Sequence, residues 1–159
     1  MTRDRGKQFE ENFRECWKQT FPDSFIYRLS DQMSGYKTYS KNPCDFIGYV
    51  DGKLFLIECK THSGASIPFE NITQYGLIKS YIGIPGIRCG VVLWLYEKDI
   101  GVIYLPISTI SKMKMDGHKS FGIRHLDDDK YFSLVLPGQK KRVFWDVDYS
   151  PLLDLEDFS

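Results

Sequence analysis

Asp51-Gly52 sits between two runs rich in aromatic and β-branched residues, from Phe46 to Val50 and from Lys53 to Ile57. An Asp-Gly pair accepts the positive φ angles of a two-residue turn, and between such runs it is the strongest short hairpin signal a sequence carries. The turn then fixes the register. Val50 faces Lys53, and counting outward sets Asp45 opposite Glu58 and Cys44 opposite Cys59. By the alternation of an antiparallel ladder, Asp45 and Glu58 form a non-hydrogen-bonded pair with Cα atoms about 4.5 Å apart. Lys60 lies two residues beyond Glu58 and points to the same face.

Two carboxylates opposed on paired strands repel and weaken the pairing. Two readings are open. One is an exposed hairpin face carrying solvated charges, the common fate of an isolated Asp, Glu or Lys in a strand. The other is a site for a divalent cation with oxygen ligands, which would offset the repulsion. The flanking residues favour the second. Leu54, Phe55, Leu56 and Ile57 are apolar on both faces, as in a strand covered on both sides. Glu58-Cys59-Lys60 then brings charge to the rim of a core.

A chain of 159 residues suits one domain, residues 1–159, with a sizeable core. Its 42% hydrophobic and 15% aromatic content excludes a disordered chain. No apolar run approaches the roughly 20 residues that span a bilayer, so no membrane partner is expected. The charged opening, Met-Thr-Arg-Asp-Arg-Gly-Lys, has no apolar segment after it, and a cytoplasmic protein without a secretory leader is expected. Cys16, Cys44, Cys59 and Cys89 form no Cys-x-x-Cys pair and have no accompanying His cluster, which argues against zinc. They read as small buried hydrophobes, with Cys44 and Cys59 as two thiols on the hairpin's other face.

With 21 basic and 21 acidic residues, the chain lacks the profile of a strongly basic nucleic-acid binder. Distribution matters more than the sum. Basic residues gather at Arg3, Arg5 and Lys7, at Lys112, Lys114, His118 and Lys119, and at Lys140, Lys141 and Arg142. Each cluster also fits ordinary solvated surface. Acidic residues collect at Asp127 to Asp129 and in an acidic tail at 150–159, at Asp154, Glu156 and Asp157.

Residues 7–20 predict an amphipathic helix with Phe9, Phe13, Cys16 and Trp17 on one stripe. Glu10 falls at the margin of that buried face and Glu11 in solvent. A first strand is expected from Phe25 to Leu29, a polar loop over 30–42, and a further loop from His62 to Pro68. A helix is expected from Glu70 to Ile82, ended by Gly83, Pro85 and Gly86. Strands follow over 88–96 and 100–105, then a short helix from Ile107 to Met113. Two weaker strands are placed at Tyr131 to Leu136 and Val143 to Trp145. This order implies an α/β sandwich with a mixed central β-sheet flanked by helices.

Pro43-Cys44-Asp45 and Glu58-Cys59-Lys60, with 12 residues between the acids, resemble the paired motif of PD-(D/E)xK nucleases. The order of several segments is more specific. Arg5-Gly6-Lys7-Gln8-Phe9-Glu10-Glu11, Cys44-Asp45-Phe46-Ile47-Gly48, Glu58-Cys59-Lys60-Thr61, and Ile67-Pro68-Phe69 followed by Gln74 resemble the RecU family of Holliday-junction resolvases. The likeness spans roughly residues 3 to 125. Two departures stand out: residues 30–42 replace a longer family insertion, and Thr73 stands where the family often has His.

The resemblance implies a restriction-endonuclease-like fold and a Mg²⁺-dependent, or Mn²⁺-dependent, hydrolysis of DNA phosphodiesters at four-way junctions. Asp45 and Glu58 are then direct metal ligands, the backbone carbonyl of Cys59 a third, and Glu10 a contributor through water or a second ion. Lys60 would orient or help deprotonate the attacking water, and Gln74 would contact the scissile phosphate or position water. Arg3, Arg5, Lys7, Lys37 and Lys41 are the candidate DNA contacts. A homodimer is expected, with Tyr36 and Tyr39 as candidate interface residues and Tyr27 better suited to the core. Two other functions fit the same residues: a restriction-type or repair endonuclease on duplex or flapped DNA, and a non-catalytic DNA-binding module.

Overall fold

Asp4 opens the first helix by accepting a hydrogen bond from the Gly6 N–H, which satisfies one of the free donors of a helix start. The computed structural model describes residues 4–30, 42–157 and 159. Arg3, Lys37, Lys41, Tyr36 and Tyr39 lie outside the described residues. Helix α1 (Arg5–Thr20) buries the predicted stripe of Phe9, Phe13, Cys16 and Trp17, with Glu10 at its margin and Glu11 exposed.

The strands and remaining helices follow as β1 (Phe25–Arg28), β2 (Phe46–Val50), β3 (Lys53–His62), β4 (Ser66–Pro68), α2 (Tyr75–Ile78) and β5 (Ile87–Leu95). Next come β6 (Val102–Pro106), α3 (Ile107–Met115), β7 (Ser120–Gly122), β8 (Leu134–Val135), β9 (Gly138–Lys140) and β10 (Trp145–Val147). A six-stranded sheet runs in the order β1-β2-β3-β5-β6-β8. Only the β3–β5 pairing is parallel, so the sheet is mixed. Alternate residues of β3 and β5 serve opposite faces. Phe55, Ile57, Val92 and Trp94 pack with α1, Tyr149 and Leu152. Leu56, Val91, Leu93 and Leu95 pack with Ile78 of α2 and with Ile107, Ile110 and Met113 of α3. The expected mixed α/β sandwich is therefore found.

The hairpin register is also as expected, from Val50↔Lys53 to Phe46↔Ile57. Asp51 and Gly52 hold φ angles of 52° and 75°. Gly48 of β2 matters for packing: a Cβ there would come within 2.8 Å of the Trp17 ring, so glycine lets α1 lie close on the hairpin.

Several expectations are corrected. The helix over 70–82 is broken into a 3₁₀ turn at Phe69–Asn71, α2, and a second 3₁₀ turn at Lys79–Tyr81. Asn71, the β-branched Ile72 and Thr73, and Gly76 are weak helix formers, and Ile72 is buried in the core instead. The loop from His62 to Pro68 ends in β4, which pairs with the distant β7. The strand placed at Tyr131 to Leu136 shrinks to β8, because Tyr131 turns inward to donate its hydroxyl to Asp116 at 2.7 Å. The last strand begins at Trp145, not Val143, and pairs with β9. Tyr27 is not in the core: it is 51% exposed and stacked on Phe25, because β1 is an edge strand and its Phe25–Tyr27 face is covered by no helix among the described residues.

The acidic C-terminal segment packs onto the sheet. Ser150–Asp154 form a 3₁₀ turn with Leu152 buried. The buried guanidinium of Arg88 donates to the carbonyls of Leu152, Leu155 and Glu156.

Candidate active site

Where β2 begins, the ladder departs from regular pairing. Asp45 donates its N–H to the carbonyl of Ile57 at 3.0 Å, yet Ile57 is already partnered by Phe46. Two residues of one strand thus meet one of the other, which is a β-bulge. This corrects the regular Asp45–Glu58 pair expected from the turn. The Asp45 carboxylate enters the ladder itself: Oδ2 accepts the backbone N–H of Cys59 at 2.9 Å. In an unbroken ladder that N–H would have gone to the carbonyl of Cys44.

The bulge also moves Cys44. It packs on the α2–α3 side with Leu56 and Cys89, whereas Cys59 packs on the α1 side. The two thiols therefore do not share a face, contrary to the simple register. All four cysteines are free and buried.

Glu58 is 2% exposed. Its Oε1 lies 3.5 Å from the Lys60 ammonium, and its Oε2 is buried with no hydrogen-bond partner among the described residues. Burial raises its pKa, the neighbouring Asp45 carboxyl raises it further, and Lys60 pulls it down, leaving it at about 8. Burial likewise raises Asp45, opposed by the Cys59 N–H and by Arg28.

Arg28, at the end of β1, is the residue that sequence reasoning missed. Its Nε and Nη2 meet Glu10 Oε2 and Oε1 at 3.0 and 3.2 Å, and Nη2 also lies 3.8 Å from Asp45 Oδ1. Glu10 therefore sits on a guanidinium that links it to Asp45. The available signal was a basic residue ending the strand that precedes the acidic motif. Gln74 is half-buried at the start of α2, where its backbone carbonyl accepts from Leu77 and Ile78. Arg5 and Lys7 are exposed on the first turn of α1.

Among the described residues, no three or more His, Cys, Asp or Glu side chains gather closely enough to hold a metal ion by themselves. A small hard cation does not require that. Mg²⁺ keeps several waters and commonly takes only one or two protein carboxylates. Asp45 and Glu58 fit such an ion: both are oxygen donors, their charges oppose one another, and Glu58 Oε2 lacks a partner. Among the described residues no helix is long and apolar enough to cross a membrane.

No family model matches the chain, and no curated protein matches it. Among solved structures, the chain is similar to Hjc of Archaeoglobus fulgidus, a Holliday junction resolvase from an archaeal hyperthermophile. The identity is 19%, the match covers 79% of this chain and 91% of that chain, and the TM-score is 0.47.

Proposed function

We propose that this protein is a Mg²⁺-dependent DNA endonuclease of the RecU type, resolving Holliday junctions by paired phosphodiester hydrolysis in recombination or repair. The observation that supports it is the buried Glu58 beside the partly buried Asp45 at the bulge, with Lys60 against Glu58 and Arg28 against Asp45. Carboxylates brought together away from solvent weaken a fold, and a DNA-binding module without catalysis gains nothing from them.

Asp45 and Glu58 hold the cation, Mg²⁺ or Mn²⁺, with the Cys59 carbonyl as a third donor. Once bound, the cation neutralises charge on the phosphate and stabilises the leaving oxygen. Arg28 opposes the upward shift that burial imposes on Asp45 and aims its carboxylate, and Glu10 keeps Arg28 in place. Lys60 orients the attacking water, its ammonium held by Glu58 Oε1. Gln74 contacts the phosphate from the start of α2. Arg5 and Lys7 meet the DNA on the α1 side. A four-way junction is two-fold symmetric, so two matched nicks require two such sites, and the acting form is a C₂ homodimer.

Labelled four-way junction, duplex and single strand, incubated side by side with Mg²⁺, test the reading. The junction should be cut in preference, and Asp45→Asn should lose cleavage by at least about a hundredfold, the scale on which one transition-state contact acts. Equal cleavage by Asp45→Asn at saturating Mg²⁺ would sink the assignment. Preference for duplex would favour the restriction-type or repair endonuclease.

A further inference from the structure

A second concave site opens between the end of β5 and the β9–β10 hairpin. It is a groove of about 250 Å³, and four basic side chains, Arg5, Lys98, Lys140 and Arg142, line it against Glu97 and Asp99. Lys140 is paired with Asp99 at 3.0 Å, so Arg5, Lys98 and Arg142 set its sign. Aromatic rings form its walls. The Arg5 guanidinium carbon lies over the Tyr96 ring, 3.9 Å from its centre, a cation–π contact that holds an otherwise exposed side chain in place. Trp145 stands half-buried opposite, its carbonyl anchored by Asn12 Nδ2 at 3.1 Å.

The groove shares no residue with the carboxylate site. Trp94 and Tyr96 face the α1 side of the sheet, whereas Glu58 and Lys60 alternate with Cys59 and face the other side of β3. Tyr96 follows β5 and donates its N–H to the carbonyl of His62 at 3.2 Å.

A duplex offers no free base face, whereas an unpaired base stacks on aromatic rings and guanidinium planes. Fixed rings interleaved with cations suit that ligand better than a plain phosphate backbone, which needs only the cations. We propose that this groove binds an unpaired nucleotide of a DNA strand. The base stacks on the outer face of the Arg5–Tyr96 pair next to Trp145, and the phosphate meets Arg142 and Lys98. The ligand class rests on the DNA-endonuclease reading above.

The test compares a short fluorescein-labelled oligothymidylate with an abasic strand of the same length and charge, by anisotropy and without divalent cation. The oligothymidylate should bind wild type about tenfold more tightly, the scale of one or two stacked bases. Arg5→Ala should erase that preference, and Arg142→Ala should weaken both strands alike. Equal binding of the two strands by wild type overturns the proposal, and so does a preference that survives Arg5→Ala. Junction cleavage by the same preparations separates this outcome from the main reading. A protein that cuts junctions but binds both strands equally lacks the stacking groove and keeps the activity. One that prefers oligothymidylate, loses that preference in Arg5→Ala, and cuts nothing keeps the groove and lacks the activity.

Discussion

At Glu58, burial and the Asp45 carboxyl raise the pKa from an ordinary 4.5 to about 8, despite Lys60. Between those values the folded chain binds more protons than the unfolded chain. Its contribution to stability is therefore full below about 4.5 and is lost as pH rises toward about 8. Asp45 is shifted in the same direction. Melting in a chelator should thus occur at lower temperature at about pH 8 than at about pH 5, and Glu58→Gln should flatten that slope while abolishing cleavage. Added Mg²⁺ should restore wild type at the higher pH and leave Glu58→Gln unmoved, since a ligand of the folded state stabilises it. A slope unchanged in Glu58→Gln would count against the buried pair. Arg28 makes a separate prediction. Arg28→Ala strips a cation from Glu10 and Asp45, so half-maximal cleavage should need roughly tenfold or more Mg²⁺, as for other residues that orient metal ligands. A Mg²⁺ titration of cleavage reads this directly, and an unchanged midpoint would remove Arg28 from the site.

Elements carry these side chains to one place. The bulge at Asp45 ends the β2–β3 ladder and puts a carboxylate where a backbone carbonyl would stand. Helix α1 brings Glu10, and it lies close to the hairpin because Gly48 leaves room for the Trp17 ring. Gly48→Ala forces a Cβ within 2.8 Å of that ring. Overpacking of this kind costs about 1–3 kcal/mol, measurable as a lower urea midpoint with unchanged slope. Any shift of α1 also pulls Glu10 from Arg28, so cleavage by folded Gly48→Ala should fall too. Full stability in this variant would mean that Trp17 has an alternative position.

For the whole molecule, the C-terminal segment is part of the core. Arg88 is buried, and its donors go to carbonyls of Leu152, Leu155 and Glu156. Removing 150–159 takes these acceptors from Arg88 and uncovers the core that Leu152 fills, a loss of about 2–5 kcal/mol on the scale of one buried leucine. Thermal melting of the truncated chain checks this, and an unchanged midpoint would show that water replaces the carbonyls. Assembly gives the other prediction at this scale. Wild type mixed with Asp45→Asn should form heterodimers that nick one strand of a junction without completing resolution. A chain that sediments as a monomer, free and junction-bound, would rule out paired cutting by a dimer.

Local patterns determined much of this protein. The Asp-Gly turn and the alternating runs beside it specify the β2–β3 register, and the spacing of Phe9, Phe13, Cys16 and Trp17 specifies the buried face of α1. The placement of Glu58 and Lys60 on one face of β3 follows from the side-chain period, which acts over a few residues. The bulge did not follow. It depends on which donors reach the Ile57 carbonyl and the Asp45 carboxylate, and no repeat in the sequence encodes that choice. The same is true of the side on which Cys44 packs, the pairing of β4 with β7, and the break within residues 70–82, where burying Ile72 overrides a helical pattern. Arg28 meets Glu10 and Asp45 only because three segments far apart in the chain converge at one end of the sheet. The tertiary structure alone decided the charge state of Glu58, since desolvation is set by everything packed around a carboxyl, and the residues beside it in the chain supply only part of that.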